Sequence, residues 1–566
     1  MAAAAAFVTS CNDWLDLAPI DYYGSEGYWK NEAHATGYID GLHNHLRAHQ
    51  FTHVTTFGDL RGGLYKTAVA VDGSALSYGD IITQSFDADH PGVSNFANIY
   101  GRITNCNLFI ARVEDNPDYP IDAARKNFYL GIVHGLRAFY YFDLYRIYGW
   151  APIRTGVEVI DGELDPNKLY VERSAPSVVA KQIEDDIEAS LSFFGNVNDF
   201  DPYGFGYKHY WSKAATECLA ADFYLWQAKV TTGDHTATGP GGSDLAKAKQ
   251  HLQSLERNYG LALEPSFADV FSTDNKANDE VIFALFYDEN EAVNNNGIWL
   301  CQNNAEVCGA GYDEDGERIT TEYFTEKFTS FNRQDIEYKV DMILQYDMED
   351  SRRLATFFPV YKLGVAGDGE DPDQLYLRGS LVQKNIGHVS STSGQRVFDG
   401  DIILYRLAWV YLSLAEVANM EGDNASVQHY VNLVRERAYG ANWNQQEYGY
   451  VPSDFKTNEL AILMERTKEF VQEGFRWYDL RRMKTSPTGG PETALVFSKE
   501  AAIEAGLLGK ADGTAADGTP TLLGYKLTPE SSWRAALTSS EDYKVLWPLD
   551  KSLLNNEPVL TQTPGY

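Results

Sequence analysis

Three segments of this chain repeat one pattern, and that repetition limits the possible folds more than any other feature. RAFYYFDLYRIYG (Arg137–Gly149), AADFYLWQAKVTTGD (Ala220–Asp234) and LAWVYLSLAEVANMEGD (Leu407–Asp423) share one register. Ala138, Ala221 and Ala408 fall at one position, Tyr141, Tyr224 and Tyr411 three residues on, and Phe142, Leu225 and Leu412 next. A small residue admits a close helix crossing, and the ring that follows fills the next groove. Two of the segments end at Gly233-Asp234 and Gly422-Asp423 and lead into second helices. These partners are Asp244–Tyr259, with Ala248, Leu252 and Leu255 inward, and Ala425–Tyr439, with Val427, Val431 and Val434 inward. Such pairs bury their apolar faces only by stacking on neighbours, as tetratricopeptide-type pairs do. They are scattered along the chain, so the fold class read here is mostly α: a scaffold of helix pairs interrupted by a large irregular part.

Apolar periodicity predicts further helices over Ala33–Arg47, Asn98–Glu114, Ile121–Tyr148 and Pro176–Phe194. The third is apolar on nearly every face and belongs at the centre. Periodicity fails between residues 260 and 400, where DENEAVNNNGIW, AGYDEDGE and GVAGDGEDPDQ are rich in Gly, Asn, Asp and Pro. Residues 487–545 form a second loop-rich insertion. Long loops in a compact domain tend to carry function. No low-complexity linker divides the chain, which favours one domain.

Net charge is −33 over 566 residues, so the chain cannot neutralise a phosphate backbone, and nucleic-acid binding is excluded. No run of 18 or more apolar residues follows residue 11, so no segment reads as a bilayer-spanning helix. Val8-Thr9-Ser10-Cys11 fits a bacterial lipobox with Cys11 as the acylated residue, residues 1–10 reading as a truncated or replaced signal peptide. Cys106 and Cys218 lie on apolar helical segments and read as buried thiols. Cys301 and Cys308 share a Gly/Asn-rich loop, where an oxidising exterior permits a disulfide.

Catalytic signatures are missing: there is no nucleophile elbow, phosphate loop or dinucleotide fingerprint. The acid pairs Asp313/Asp315 and Asp371/Asp373 arise by chance among 80 Asp and Glu, so a non-enzymatic role is expected. His45, His49 and His53 recur at helical spacing with His43 adjacent, a set that suits either a zinc site or a solvated helix face. The acidic loops Asp313–Glu317 and Asp368–Asp373 suit either Ca²⁺ or solvated turns, and no cofactor is otherwise expected.

Two motifs near the end carry more information. ERTKEFVQEGFRWYDLRRMK (Glu465–Lys484) combines a predicted amphipathic helix with a Gly474 stop and a dense run of aromatics and ions. By itself it reads as a buried ion-pair corner. The chain closes on Trp547, Pro548, Asn556, Pro558, Leu560, Gln562, Pro564, Gly565 and Tyr566. Together these motifs resemble the SusD/RagB family of surface lipoproteins, which capture nutrients for TonB-dependent outer-membrane transporters. The resemblance implies one SusD-like domain over residues 12–566, built from four helix pairs plus an irregular half. It also implies a lipid-anchored place on the extracellular face of the outer membrane, an oligosaccharide ligand and a SusC-like transporter partner. A tetratricopeptide-type protein-interaction module, or a peptide cargo, remains the alternative.

A sugar's C–H face stacks on Trp or Tyr while Asp, Asn and Arg fork its hydroxyls. Trp299, flanked by Asn294, Asn295 and Asn296 with Tyr312 beyond, has that composition, although a core plug under the loop fits equally. A second group is Asp59 and Arg61 with Asp87, His90 and Asn95; Asp59 and Arg61 also suit a mutual ion pair. Phe96 stands where many members of the resembled family have Trp, and Trp409 where a Glu is common.

Overall fold

The computed structural model describes residues 28–67, 69–71, 73–157, 159–160, 163–164, 170–294, 310–323, 335–498 and 537–566. Among the described residues the long helices of the first half are α1 (Glu32–His53), α2 (Phe96–Phe109), α3 (Ala123–Tyr148), α4 (Pro176–Phe194), α5 (Lys213–Lys229) and α6 (Ser243–Asn258). The longer strands and helices that follow are β1 (Val281–Leu285), β2 (Phe357–Leu363), β3 (Leu375–Val382), β4 (Ile402–Arg406), α7 (Leu407–Glu421), α8 (Asn424–Tyr439), α9 (Phe455–Glu469) and α10 (Arg476–Arg482).

Helices pair in sequence order, α1 with α2, α3 with α4, α5 with α6 and α7 with α8, and adjoining pairs touch through α2–α3, α4–α5 and α6–α7. Four stacked hairpins form the scaffold that the repeats predict. Its seams are small-to-aromatic contacts: Ala138, Ala221 and Ala408 are fully buried. A Cβ on Gly131 would lie 2.9 Å from the Phe194 ring of α4, and one on Gly135 would lie 2.2 Å from Trp211 Nε1. Local chemistry sets the helix ends. The carboxylate of Asp122 accepts the N–H groups of Ala124 and Arg125 at α3, Ser212 accepts that of Ala215 at α5, and Asp454 accepts that of Thr457 at α9.

Each helix prediction finds its element, Pro176–Phe194 end to end and the others with shifted ends. α1 continues past Arg47 to His53 and then widens into a π-helical turn over Val54–Asp59. The Ala220 segment belongs to a helix that ends at Lys229, short of Gly233. The motif helix stops at Glu469, before Gly474, because Gln472 and Gly474 adopt left-handed φ angles of 65° and 81°.

The described residues of the irregular part contain two longer antiparallel pairs and the short pair of His388–Val389 with Arg396–Val397. β1 pairs with β4 (Leu285↔Ile402), and β2 with β3 (Phe357↔Val382 to Leu363↔Leu375). β4 passes directly into α7, so the strand pair is bolted to the helical scaffold. One contiguous apolar core runs from Ala35 to Leu549. Cys106 and Cys218 are buried free thiols, as expected. No helix among the described residues is long and apolar enough to cross a membrane.

Candidate functional site

The Glu465–Lys484 motif closes the molecule. Arg406, at the junction of β4 and α7, donates to Glu280 Oε1 (2.7 Å), Glu469 Oε1 (2.6 Å) and both carboxylate oxygens of Glu473 (2.8 Å each). Arg437 joins Glu280 to Glu469, and Arg352 spans Asp350 (2.7 Å), Glu465 (2.7 Å) and Glu469 (3.0 Å). Burial alone would raise these carboxyls. Arg352, Arg435 and Lys468 outweigh it at Glu465 and hold that group down to about 2. Arg437, Arg406 and Arg352 hold Glu469 well below the ordinary range. The ion-pair corner read from the sequence is therefore fully buried and structural.

The N-terminal π-helical turn docks against the same motif. A Cβ on Gly58 would sit 2.1 Å from the Gly474 carbonyl oxygen, so two backbones meet with no room for side chains. Asp59 is buried and accepts the Gly474 N–H at 3.3 Å. Arg61 is buried too. Its guanidinium lies 3.7 Å from the Trp477 ring centre, 4.8 Å from Phe86 and 5.3 Å from Trp547, and it donates to Gln84 Oε1 (3.0 Å) and to the Lys544 carbonyl. Neither the mutual ion pair nor the solvent-facing placement is found. Asp59 and Arg61 each fasten the N-terminal turn to the C-terminal motifs, out of reach of a ligand arriving from water.

Burial pushes the Asp59 carboxyl up to about 7, against the opposing N–H groups of Gly474 and Arg476. A folded value above the unfolded one favours the protonated form. Stability from this group is therefore full below about pH 4 and is lost as pH rises towards 7. Asp59→Asn removes that dependence. Its unfolding free energy relative to the parent should climb by about 2–4 kcal/mol between pH 4 and 8. Urea unfolding of both proteins at several pH values tests this, and a constant difference across the range would refute it.

Asp87, Asn95 and Tyr312 are exposed or half-buried and belong to two places. Asp87 is exposed, and its Oδ1 accepts the N–H groups of Asp89 (2.9 Å) and His90 (2.8 Å) in the loop beside the closing motif. Asn95 is half-buried at the start of α2, its amide 3.5 Å from His49 Nδ1. Tyr312 is half-buried elsewhere: its backbone bridges to Tyr361 of β2 and to Arg318. Tyr323 is exposed with its ring centre 6.0 Å from that of Phe358 of β2, and the tip residues Leu363 and Val365 are exposed too. Described residues of the N-terminal loop reach the same region. Tyr65 pairs with Tyr338, Lys362 Nζ donates to the Val71 carbonyl (2.7 Å), and Ser77 N–H donates to Asp335 O (2.7 Å). Asn294, buried, donates to the Gly400 carbonyl at 3.0 Å. Cys11, Trp299, Cys301 and Cys308 lie outside the described residues.

The acidic loops are satisfied by their own backbone: Asp313 Oδ1 accepts the N–H groups of Asp315 (3.1 Å) and Glu317 (2.9 Å), and Asp371 Oδ1 that of Asp373 (3.0 Å). The histidines of α1 do not form a solvated face. His43 hydrogen-bonds the Ile39 carbonyl (2.8 Å) and the Trp211 N–H (2.9 Å), His45 is exposed, and His49 and His53 are buried against Asp143 of α3. Asp143 was missed from sequence, although it is the first acid in the buried run FYYFDLY, where an ionised group needs a partner.

A family profile matches residues 264–566, from before β1 through the buried ion-pair motif to the final Tyr566: that of the SusD family. The chain belongs to the SusD family. A SusD superfamily protein of Bacteroides fragilis is 47% identical, with a TM-score of 0.82 and coverage of 95% of this chain and 100% of that one. B. fragilis NanU is 26% identical, with a TM-score of 0.73, covering 97% of this chain and all of that one. SusD-like protein P38 of Formosa agariphila is 23% identical over 86% of this chain and 91% of its own length. The fold is also that of surface glycan-binding protein A from Bacteroides uniformis, at 16% identity and a TM-score of 0.62 over 94% of this chain and 99% of that one. Within this SusD-family fold Phe96 is a core residue, edge-on to Tyr148 at 5.1 Å, and Trp409 is buried against Tyr405 at 5.1 Å. Both substitutions serve packing.

Proposed function

We propose that this SusD-family protein, as one domain over residues 12–566, is a non-enzymatic cell-surface binder of oligosaccharide. It is tethered to the outer membrane through acylated Cys11 and hands its cargo to a SusC-like TonB-dependent transporter. The observation that carries this reading is full-length likeness to SusD-family proteins, joined by a fold shared with a protein named for surface glycan binding. The ligand face is assigned to the loops around Tyr312, with Trp299 as stacking platform and a Cys301–Cys308 bond stiffening it. Exposed Tyr323, Leu363 and Val365 frame that face, and Asp87 and Asn95 form a second polar patch.

The test is affinity electrophoresis against a panel of polysaccharides, then titration with oligosaccharides of the retarded glycan. Trp299→Ala and Tyr312→Ala should each weaken binding by about 1–3 kcal/mol. Product analysis of the same glycan should show no cleavage. No retardation by any glycan, with the protein folded, would sink the reading and favour a peptide cargo or a protein-interaction role. A strongly destabilised Trp299→Ala with intact affinity would make Trp299 a core plug.

A further inference from the structure

We infer that His49, His53 and Asp143 form a transition-metal site joining α1 to α3, with Zn²⁺ as the ion that suits it best. The inference is independent of the glycan reading. His49 and His53 stand four residues apart on α1, so both imidazoles project from one face, and Asp143 comes from the central helix opposite. His49 Nε2 lies 3.1 Å and His53 Nε2 3.3 Å from the same oxygen, Asp143 Oδ2. The three ligating atoms all lie within 4.8 Å of one another. Four donors at the usual zinc distances define a tetrahedron with edges of about 3.3 Å. Both measured edges have that length.

Hydrogen bonding points the same way. His53 is buried, its Nδ1 has no hydrogen-bond partner, and its Nε2 meets Asp143 Oδ2 at 3.3 Å, outside good hydrogen-bond geometry. A metal at Nε2 would replace that poor contact with a bond. The surroundings already orient the other ligands. Arg146 Nη2 takes Asp143 Oδ1 at 2.8 Å, leaving Oδ2 for the histidines, and Arg146 Nη1 is itself held by Asp222 at 3.1 Å. His49 Nε2 is directed at Asp143 Oδ2, and a metal there requires the proton on Nδ1, with the Asn95 amide 3.5 Å away turned to present its oxygen to that N–H. Two imidazoles and one carboxylate suit Zn²⁺ or Co²⁺ over Ca²⁺ or Mg²⁺, which prefer all-oxygen sites. A fourth donor, such as a water, would complete the tetrahedron. Since α1 leads into the Gly58–Gly474 joint, an ion here clamps that joint's helix to the core.

The full chain is stripped with chelator and titrated with Zn²⁺ and with Co²⁺ alone. One equivalent should bind, Co²⁺ should give the intense visible absorption of a four-coordinate ion, and Zn²⁺ should raise the melting temperature. His53→Gln, chosen because the amide can keep a hydrogen bond to Asp143 while the imidazole ligand is lost, should weaken binding at least about 100-fold and abolish the melting shift. His45→Gln, which removes an exposed imidazole, should change neither. The inference is overturned if the stripped protein binds well below one equivalent. It is overturned equally by a weak six-coordinate Co²⁺ spectrum, or if His53→Gln binds as tightly as the parent, which would place the metal adventitiously on surface histidines. Should His53→Gln not fold, the Co²⁺ spectrum of the parent decides alone.

Discussion

Arg406→Ala is expected to lower the unfolding free energy by about 3–5 kcal/mol, the range for breaking a buried ion pair by removing one partner. Arg406 donates to Glu280, Glu469 and Glu473 within a region closed to water. Its loss leaves three buried carboxylates sharing Arg437, Arg352 and Lys384. Arg406→Lys should recover only part of the loss, since an ammonium cannot hold both oxygens of Glu473 while reaching Glu469. The pH profile should move as well. Glu465 and Glu469 are held below their unfolded values, so the stability they contribute is present above about pH 4.5 and lost as pH falls towards 2. With one cation gone Glu469 rises, and acid unfolding should begin at higher pH. Urea unfolding at pH 7 with an acid titration followed by circular dichroism reads both effects. A loss under 1 kcal/mol would show that the network is not what holds the junction.

Trp547→Ala should cost a similar amount, about 3–5 kcal/mol, through the cavity it opens. The indole is buried, stacked on Phe86 with centroids 4.5 Å apart, edge-on to Phe57 at 5.0 Å, and lies beside the Arg61 guanidinium. The alanine variant removes part of the aromatic enclosure that keeps Arg61 dry. Trp547→Phe should restore more than half of the loss by keeping a ring against Phe86. Equal losses in the two variants would count against stacking as the source.

The scaffold was legible because its signals are local and repeated. A small residue with an aromatic three positions on, at Ala138, Ala221 and Ala408, depends on no distant partner. The β1–β4 pair was not legible. VIFAL is buried at all five positions, so it shows no alternation, and its partner lies over a hundred residues further along. The α1 terminus was misplaced because helical spacing gives no sign of a π-helical turn. Among the candidate residues, Asp59 and Arg61 have the chemistry of a sugar clamp, and composition cannot reveal which side of the surface a side chain occupies. Their surroundings come from residues 474–477 and 544–547, more than 400 positions away. The α1 histidines posed the reverse problem: their spacing was visible, but the acid that gathers two of them lies on another helix.

The contact of Gly58 with Gly474 also bears on how the chain comes to be folded. The turn after α1 precedes in the chain nearly everything that covers it, since its covering surface arrives only with residues 474–477 and 544–547. Contacts of such sequence separation are slow to form, since a long loop must close first. Until then Phe57, Phe86 and the Arg61 guanidinium face water, and a shortened chain exposes an adhesive aromatic patch. Arrival of Trp547 thus acts as a late latch, and nicks or stops ahead of it should be felt first at the turn after α1.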